Sequence, residues 1–258
     1  MTIKNKKSLG QNFIFDKNFL SKISKLIISN VDNIIIEIGP GPGTLTKYLF
    51  EKEYKKIILI EKDQRLIENL NNKFYSDKVE IINGDALSFD FQIPSLKNLI
   101  IVGNLPFNIS VDLLYMWTKT KNWPPNQNKM ILMFQKEVAN RIIAEPDNKS
   151  YGKLSVVVQS RYNVNRLLDV PSYLFTPPPK VDGTILEFTP HNNYGSIDIN
   201  KVDEVSKAAF SQRRKKIKNN MAGYIEILNS LSIDQNLRPE NLSVSNYCEI
   251  AKKSKLFS

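Results

Sequence analysis

Five short apolar runs, separated by helical patterns, constrain the fold of this chain of 258 residues. The runs cover residues 34–38, 57–60, 79–82, 99–102 and 130–134. Continuous apolar runs of this length are typical of strands that are buried on both faces. Because the runs alternate with helical patterns, they predict an α/β fold with a mostly parallel sheet and helices on both sides. Two later runs, 154–158 and 181–188, could extend the sheet as antiparallel edge strands.

The pattern changes near residue 190. Residues 189–199 contain proline, asparagine and glycine with few apolar side chains, which is typical of a linker. Beyond it, apolar residues recur at helical spacing from Val202 to Ala209. We therefore expect one domain over residues 1–190 and a small helical domain over residues 200–258.

Composition excludes several kinds of chemistry. Cys248 and His191 are the only cysteine and the only histidine, so an intrachain disulfide cannot form. Two such residues cannot complete a zinc site of the usual kind. A catalytic triad would have to depend on His191, which lies in the linker. The sequence also lacks the nucleophile-elbow and phosphate-loop motifs. We expect chemistry that uses neither a metal nor histidine.

The net charge of +10 is compatible with a lysine-rich solvated surface or with a polyanionic partner. Residues 200–258 hold eleven Lys and Arg against six Asp and Glu, which is about half of the excess. No apolar run approaches the roughly 20 residues that span a bilayer. The first residues lack the apolar core of a signal peptide. These features predict no membrane association and a cytoplasmic location, with an organelle matrix as the alternative.

A nucleotide site is predicted at the carboxyl ends of the first three strands. The first strand leads into 37-EIGPGPGTLT-46, a glycine-rich turn in which backbone N–H groups can approach a ligand, although a plain tight turn is also compatible. Glu61 ends the second strand and could accept hydrogen bonds from both hydroxyls of a ribose. Asp85 follows the third strand and could accept one from an adenine amino group. Ligands of open α/β sheets bind at this edge.

The fourth strand ends at Asn104-Leu105-Pro106-Phe107. The side-chain carbonyl of Asn104 and the backbone carbonyl of Leu105 could accept the two protons of an exocyclic amine. Pro106 fixes the turn and biases Leu105 to an extended conformation. Phe107 could cover one face of a flipped base. An NAD-binding domain would share the glycines and the acid after strand two, but it would not explain Asp85 or this tetrapeptide.

The ordered series of these motifs resembles the fold of the S-adenosylmethionine-dependent methyltransferases, in particular their adenine-N6 branch. Further segments resemble the ribosomal RNA adenine N6,N6-dimethyltransferase family of the small-subunit type. They are 6-KKSLGQNFIFD-16, 135-QKEVANRIIAEPDNKSYGKLSV-156, 175-FTPPPKVDG-183, 211-SQRRKKIKN-219 and 242-LSVSNYCEIA-251. They occur in the family's order over nearly the whole chain. The resemblance implies a Rossmann-like class I methyltransferase sheet, S-adenosylmethionine as cofactor, and immature small-subunit ribosomal RNA as the partner of a monomer.

The resemblance also implies roles for individual residues. The implied cofactor contacts are Asn12, Ile14, Gly39, Glu61, Asp85 and Asn104. The family usually has leucine at position 14 and often tyrosine at position 107; a backbone contact tolerates the first change, and phenylalanine keeps the π-face in the second. The predicted catalytic residues are Asn104, Leu105, Pro106 and Phe107. The predicted stacking residues are Phe107 and Phe175, although either could be a core residue.

The basic run 213-RRKKIK-218 is predicted to continue a helix and to contact RNA phosphates through Arg213, Arg214, Lys215, Lys216 and Lys218. Lys4, Lys6 and Lys7 could add to the same field. Two alternatives to a small-subunit enzyme remain. One is a ribosome-assembly factor that binds RNA with the same fold, which the intact Asn104, Pro106 and Asp85 disfavour. The other is a large-subunit methyltransferase that confers antibiotic resistance, which the basic C-terminal motif disfavours.

Overall fold

A computed structural model describes residues 11–93 and 95–254 of the chain. Lys4, Lys6 and Lys7 lie outside the described residues. The described residues form two compact units by their contacts. The first contains the residues up to 116, together with 125–136 and 165–189, and the second contains 117–124, 137–164 and the residues from 190 onward.

The first unit is built on a sheet in which six of the seven strands match predicted apolar runs. The strands are β1 (Phe13–Ile14), β2 (Ile34–Ile38), β3 (Lys56–Glu61), β4 (Val79–Asn83), β5 (Leu99–Gly103), β6 (Gln127–Gln135), β7 (Tyr162–Val170), β8 (Phe175–Thr176) and β9 (Gly183–Pro190). Seven of them form one sheet in the order β4-β3-β2-β5-β6-β9-β7, whereas β1 and β8 pair separately. The pairs from β4 to β6 are parallel, and β9 is antiparallel to β6. The predicted parallel sheet with an antiparallel extension at 181–188 is confirmed.

The helices of the first unit follow its strands. They are α1 (Lys17–Leu26), α2 (Thr46–Phe50), α3 (Gln64–Lys73) and α4 (Ser110–Thr118), the last of which enters the second unit. Aspartates cap α1 and α3: the Asp16 side chain accepts a hydrogen bond from the Phe19 N–H and Asp63 from that of Arg65. The central strand β2 is buried along its length, with Ile36 facing Ile58 and Ile101 across the two neighbouring strands. These isoleucine rows form the core under the strand ends.

The helices of the second unit are α5 (Lys136–Ile142), α6 (Lys153–Gln159), α7 (Ile199–Ala209), α8 (Ile217–Asn220), α9 (Ile225–Ser230) and α10 (Val244–Ser254). Within this unit α6 packs against α7 and α10. The unit therefore takes in more of the chain than the helical region predicted at 200–258.

The prediction that residues 154–158 could extend the sheet is wrong, because they lie in α6. The run is buried on every side of the helix, and apart from Ser155 it is apolar: Leu154, Val156, Val157 and Val158 are all buried. A helix that is buried all round has the same continuous apolar pattern as a buried strand. The actual edge strand, β7, alternates polar with apolar residues and is therefore missed by a search for apolar runs.

The predicted continuation of the α7 helix through the basic run is also wrong. The α-helix ends at Ala209, a 3-10 turn covers Phe210–Gln212, and residues 213–216 form a turn before α8. The side-chain amide of Asn220 donates to the carbonyls of Ala209 and Gln212, at 2.8 and 2.9 Å, and so satisfies groups that end the helix. Like charges placed one turn apart would destabilise a helix through this run.

No helix among the described residues is long and apolar enough to cross a membrane. The same part of the chain contains no group of three or more His, Cys, Asp or Glu that could hold a metal ion.

Candidate active site

A cavity of about 130 Å³ lies at the carboxyl ends of β2, β3, β4 and β5. It is lined by five of the six predicted cofactor contacts and by all four predicted catalytic residues. They are Asn12, Gly39, Glu61, Asp85, Asn104, Leu105, Pro106 and Phe107. The topology explains the convergence, because the carboxyl ends of parallel strands meet at the same edge of a sheet.

The glycine-rich turn adopts a backbone that requires glycine. Gly39, Gly41 and Gly43 have φ angles of +64°, +59° and +81°, which L-residues rarely adopt. A Cβ at Gly39 would meet no atom within 4 Å, so this glycine borders open space in the cavity. A Cβ at Gly41 would collide with the ring of Phe13. The turn therefore leaves room for a ligand on one side and packs tightly on the other.

Glu61 holds the turn in place. Its side chain is 6% exposed, and its two carboxylate oxygens accept hydrogen bonds from the backbone N–H of Gly41 at 3.0 Å and of Asp63 at 2.8 Å. Burial raises the pKa of Glu61, and these backbone hydrogen bonds oppose that shift. Each oxygen keeps a second lone pair, so the carboxylate can also accept from the hydroxyls of a bound ribose.

Asp85 has a partner that sequence reasoning missed. The Lys62 ammonium lies 2.7 Å from one carboxylate oxygen, and the Leu87 N–H donates to the other at 3.0 Å. The hydrogen bond from Lys62 is the main reason that the pKa of Asp85 is lowered. Lys62 also lines the cavity. It directly follows Glu61 at the end of β3, so its place in the sequence could have indicated this contact.

Asn104 has a defined amide orientation. Its Nδ2 donates to the backbone carbonyl of Asn12 at 2.8 Å, so its Oδ1 points away from Asn12. The next residues turn into α4, with the Ile109 N–H donating to the Pro106 carbonyl at 3.0 Å and the Ser110 hydroxyl to that of Phe107 at 3.2 Å. Phe107 is half-buried and lines the cavity, whereas Leu105 is buried. The arrangement can present a carbonyl acceptor beside an aromatic face.

The model of the ribosomal RNA adenine dimethylase family matches residues 2–255. The chain belongs to this family. A relative in Pelagibacter ubique, named ribosomal RNA small subunit methyltransferase A, is 39% identical over 259 residues, which cover 98% of each chain. The protein of the same name in Allorhizobium ampelinum is 39% identical over 95% of this chain and 91% of its own length. The resemblance predicted from the sequence motifs is confirmed.

Solved structures support the fold. A dimethyladenosine transferase from Plasmodium falciparum superposes with a TM-score of 0.81 at 23% identity, covering 94% of this chain and 98% of its own. The 23S ribosomal RNA methyltransferase ErmE superposes with a TM-score of 0.70 at 19% identity, over 94% and 99%. At these identities the likeness shows the fold alone. The predicted Rossmann-like methyltransferase sheet with a helical C-terminal region is confirmed.

The cofactor of the adenine dimethylase family is S-adenosylmethionine, and the residues that line the cavity are chemically suited to it. The open space beside Gly39 can take the donor's amino-acid end, as a glycine turn before α2 is suited to do. We expect Glu61 and Asp85 to supply acceptors for a ribose and an adenine amine, respectively. These residues are the ones that we expect to hold the cofactor.

Ile14 and Phe175 do not line this cavity. They face each other as register partners in the pairing of β1 with β8, and both lie in the hydrophobic core. Phe175 is 2% exposed and therefore takes the core position that the sequence left as the alternative, and a stacking role for its ring stays a prediction. Ile14 lines a smaller neighbouring cavity of about 40 Å³. A cofactor contact there stays a prediction, and Asn12 is the residue of this segment that reaches the main cavity.

Glu37 is a buried acid to which sequence reasoning assigned no role. Its side chain is 3% exposed, and the Thr46 hydroxyl donates to it at 2.7 Å, which joins the end of β2 to the first turn of α2. Burial raises the pKa of Glu37 to about 7, the bond from Thr46 opposes the shift, and the nearby Glu61 adds to it. An acid in an otherwise apolar strand was the signal available in the sequence.

The predicted RNA contacts lie in the second unit and divide into two groups. Arg213 is half-buried, and its guanidinium donates to Glu240 at 2.8 Å and to the Asn148 carbonyl at 3.3 Å. Its position is therefore suited to holding the turn. The other four are exposed, namely Arg214, Lys215, Lys216 and Lys218. The Nζ atoms of Lys216 and Lys218 lie 3.1 and 3.3 Å from the Oδ1 of Asn236, so these two charges are close together.

Proposed function

We propose that this member of the family transfers methyl groups from S-adenosylmethionine to the N6 amines of two adjacent adenines in small-subunit ribosomal RNA. The observation that carries the proposal is the bond from Asn104 Nδ2 to the Asn12 carbonyl. Because this bond occupies the amide donor, the acceptor Oδ1 is left to meet a donor such as an adenine amine. The names of the curated relatives support the small-subunit target.

The methyl acceptor is a weak nucleophile, because its lone pair is delocalised into the adenine ring. Asn104 Oδ1 and the Leu105 carbonyl accept the two amine protons and so favour a tetrahedral nitrogen with a localised lone pair. Pro106 biases Leu105 toward an extended backbone, and Leu105 lines the cavity. When bound, S-adenosylmethionine supplies an already activated methyl group on a sulfonium. The protein's contribution is therefore positioning and electrostatics.

The target adenine leaves its stack to reach the cavity, as in other enzymes that act on a base. Phe107 covers one face of the ring. Base–aromatic stacking is worth about 1–3 kcal/mol per base. The second methylation of the same nitrogen requires space for one methyl group beside the two carbonyl acceptors.

The partner is small-subunit ribosomal RNA within an immature particle, and the enzyme binds it as a monomer. The exposed basic side chains between residues 214 and 218 contact phosphates and position the RNA without reading its sequence. A ribosomal substrate assigns the enzyme to the compartment where ribosomes assemble, which is the cytoplasm or an organelle matrix.

Transfer of a labelled methyl group tests the proposal. The purified protein is incubated with labelled S-adenosylmethionine and either immature small-subunit particles or large-subunit RNA. We expect label in dimethyladenosine at two adjacent positions of the small-subunit RNA. Label in the large-subunit RNA alone would favour a resistance enzyme, and binding of particles without transfer would favour an assembly factor.

A further inference from the structure

A third concavity in the first unit lies beside the glycine-rich turn and has no part in the proposed chemistry. It is a groove of about 530 Å³ bordered by α1, α2 and the end of α3. Its lining combines aromatic rings with lysines, including Phe15, Phe50, Phe74, Lys17, Lys47 and Lys73.

The aromatic rings of the groove are supported by neighbours and yet exposed. Phe15 is 52% exposed and stands edge-on to Phe13, with ring centroids 6.4 Å apart. Phe50 is 36% exposed and tilts against Phe74 at 5.9 Å. Isolated exposed apolar side chains are ordinary on a protein surface. Two exposed rings on different elements of one groove provide a platform for a flat ligand.

The charge of the groove is positive. Lys17 and Lys47 are exposed at its border, and Lys73 donates to the Pro42 carbonyl at 3.1 Å. Among the described residues that line the groove, Glu51 is the carboxylate that offsets these three ammonium groups. Exposed rings together with free ammonium groups are the combination that binds single-stranded nucleic acid, since bases stack and phosphates pair. An apolar peptide would gain nothing from the lysines.

The groove and the cofactor cavity adjoin each other, and the backbone between them forms a wall of both. Phe13 lines the cavity and packs on Gly41, and Phe15, two residues later, lines the groove. Pro42 and Gly43, which belong to the glycine-rich turn, also border the groove. A polymer in the groove would therefore lie beside the wall of the site where the methyl donor binds.

We propose that this groove binds an unpaired stretch of the substrate RNA, with a base stacked on Phe15 and phosphates near Lys17 and Lys47. Unpaired nucleotides are what proteins recognise most often in folded RNA. The inference rests on the proposed function, because it assumes an RNA substrate. It adds a contact surface on the catalytic unit to the basic turn of the second unit.

Substitution of Phe15 tests the stacking. Phe15→Leu keeps an apolar side chain but removes the π-face, and Phe15→Trp keeps both. We expect Phe15→Leu to weaken binding to immature small-subunit particles roughly tenfold, since a lost stack costs about that much. Phe15→Trp should bind as the wild type does. Equal affinity of the leucine variant and the wild type, or equal loss in both variants, would overturn the proposal.

Charge removal provides a matched second test. The variant Lys17→Ala/Lys47→Ala is compared with Lys55→Ala/Lys78→Ala, which removes two exposed charges beside the amino ends of β3 and β4. We expect the groove variant to lower the slope of log affinity against log salt by about 1 to 2, as loss of two phosphate contacts predicts. The control should keep the wild-type slope. The same slope in both variants would refute the groove as a phosphate contact.

A photo-crosslinking residue at position 15 identifies the occupant. Crosslinks to small-subunit RNA are expected, and crosslinks confined to a ribosomal protein would overturn the proposal. Calorimetry with S-adenosylmethionine should give wild-type affinity in every groove variant. Methyl transfer by the wild type is measured in parallel, so that a failed function is distinguished from a functional enzyme that does not use the groove.

Discussion

At the scale of single residues, the reacting end of the cavity depends on the direction of one amide. Asn104 donates to the Asn12 carbonyl, and this bond aims the acceptor oxygen away from the N-terminal segment. The geometry explains why an amide suits the position better than a carboxylate. An aspartate would place a carboxylate oxygen against the Asn12 carbonyl, so that two acceptors would face each other. The bond that orients the side chain would then be lost.

Substitution of Asn104 should therefore abolish transfer. We expect Asn104→Ala and Asn104→Asp to lower kcat by roughly a hundredfold or more, as loss of one preorganised hydrogen-bond partner does elsewhere. Binding of RNA should persist, as measured by filter binding with small-subunit particles. Asn72, which is exposed on α3 and does not line the cavity, provides a control, and Asn72→Ala should remain active. Near-normal turnover in Asn104→Ala would refute the role of the amide.

The buried acid Glu37 makes stability depend on pH. Because burial raises its pKa to about 7, the folded protein holds a proton that the unfolded chain releases near pH 4.5. The free energy of unfolding should therefore fall as pH rises from 5 to 8, by at most about 3 kcal/mol from this group. Urea unfolding at both pH values should show a smaller fall in Glu37→Gln. An unchanged pH dependence, equal to that of the exposed control Glu53→Gln, would contradict this assignment.

The positions of site residues were predictable from the sequence where a side chain lies at the end of a strand. Glu61, Asp85 and Asn104 converge because parallel strands bring their carboxyl ends together, and the sequence contains that information. Phe175 was assigned to the cavity because it begins a proline-rich loop. Its burial depends on the pairing of two-residue strands 160 residues apart, which no local pattern encodes.

At the scale of elements, we expect the glycine-rich turn to determine whether the cofactor can bind. Gly41 combines a φ of +59° with close contact to the Phe13 ring, so a side chain there is both strained and crowded. Gly41→Ala should cost about 1–2 kcal/mol for the backbone alone. It should also weaken S-adenosylmethionine binding measured by calorimetry.

Gly152→Ala is the matched control for this turn. Gly152 has an extended backbone with φ of −171°, and a Cβ there meets nothing within 4 Å. We expect this variant to have the stability and the cofactor affinity of the wild type. Wild-type affinity in Gly41→Ala would mean that the turn tolerates a side chain and that its glycines serve another purpose.

Elements were mispredicted where two structures share one local pattern. The run at 154–158 is buried on all sides, so its apolar content cannot distinguish a strand from α6. The basic run at 213–218 follows a helix in sequence, but Asn220 ends that helix through bonds to Ala209 and Gln212. Both errors arise from tertiary contacts that override local preference.

At the scale of the whole molecule, the net charge of +10 includes an exposed basic cluster in the turn before α8. Neutralising Arg214, Lys215 and Lys216 should weaken binding to small-subunit particles and reduce its salt slope by about 2 to 3, if each contacts one phosphate. The control removes the same charge at Lys55, Lys78 and Lys97, which are exposed beside the amino ends of β3, β4 and β5. Affinity and slope measured by filter binding should change little in the control. Identical behaviour of the two triple variants would show that net charge alone drives binding.

Arg213 belongs to the scaffold of the same turn. Its ion pair with Glu240 is partly exposed, so its contribution to stability is modest. We expect Arg213→Ala to disturb the turn and lower RNA affinity without the salt signature of a lost phosphate contact. A full reduction of the salt slope in this variant would assign Arg213 to the RNA instead.

The carboxylate of Glu61 joins the turn after β2 to the turn after β3 through bonds to Gly41 and Asp63. These bonds hold both turns in place before a ligand binds, which affects the thermodynamics of binding. We expect association to forfeit little conformational entropy at these two turns, because Glu61 already holds them. Cofactor capture should accordingly be fast and show the small heat-capacity change of a rigid receptor.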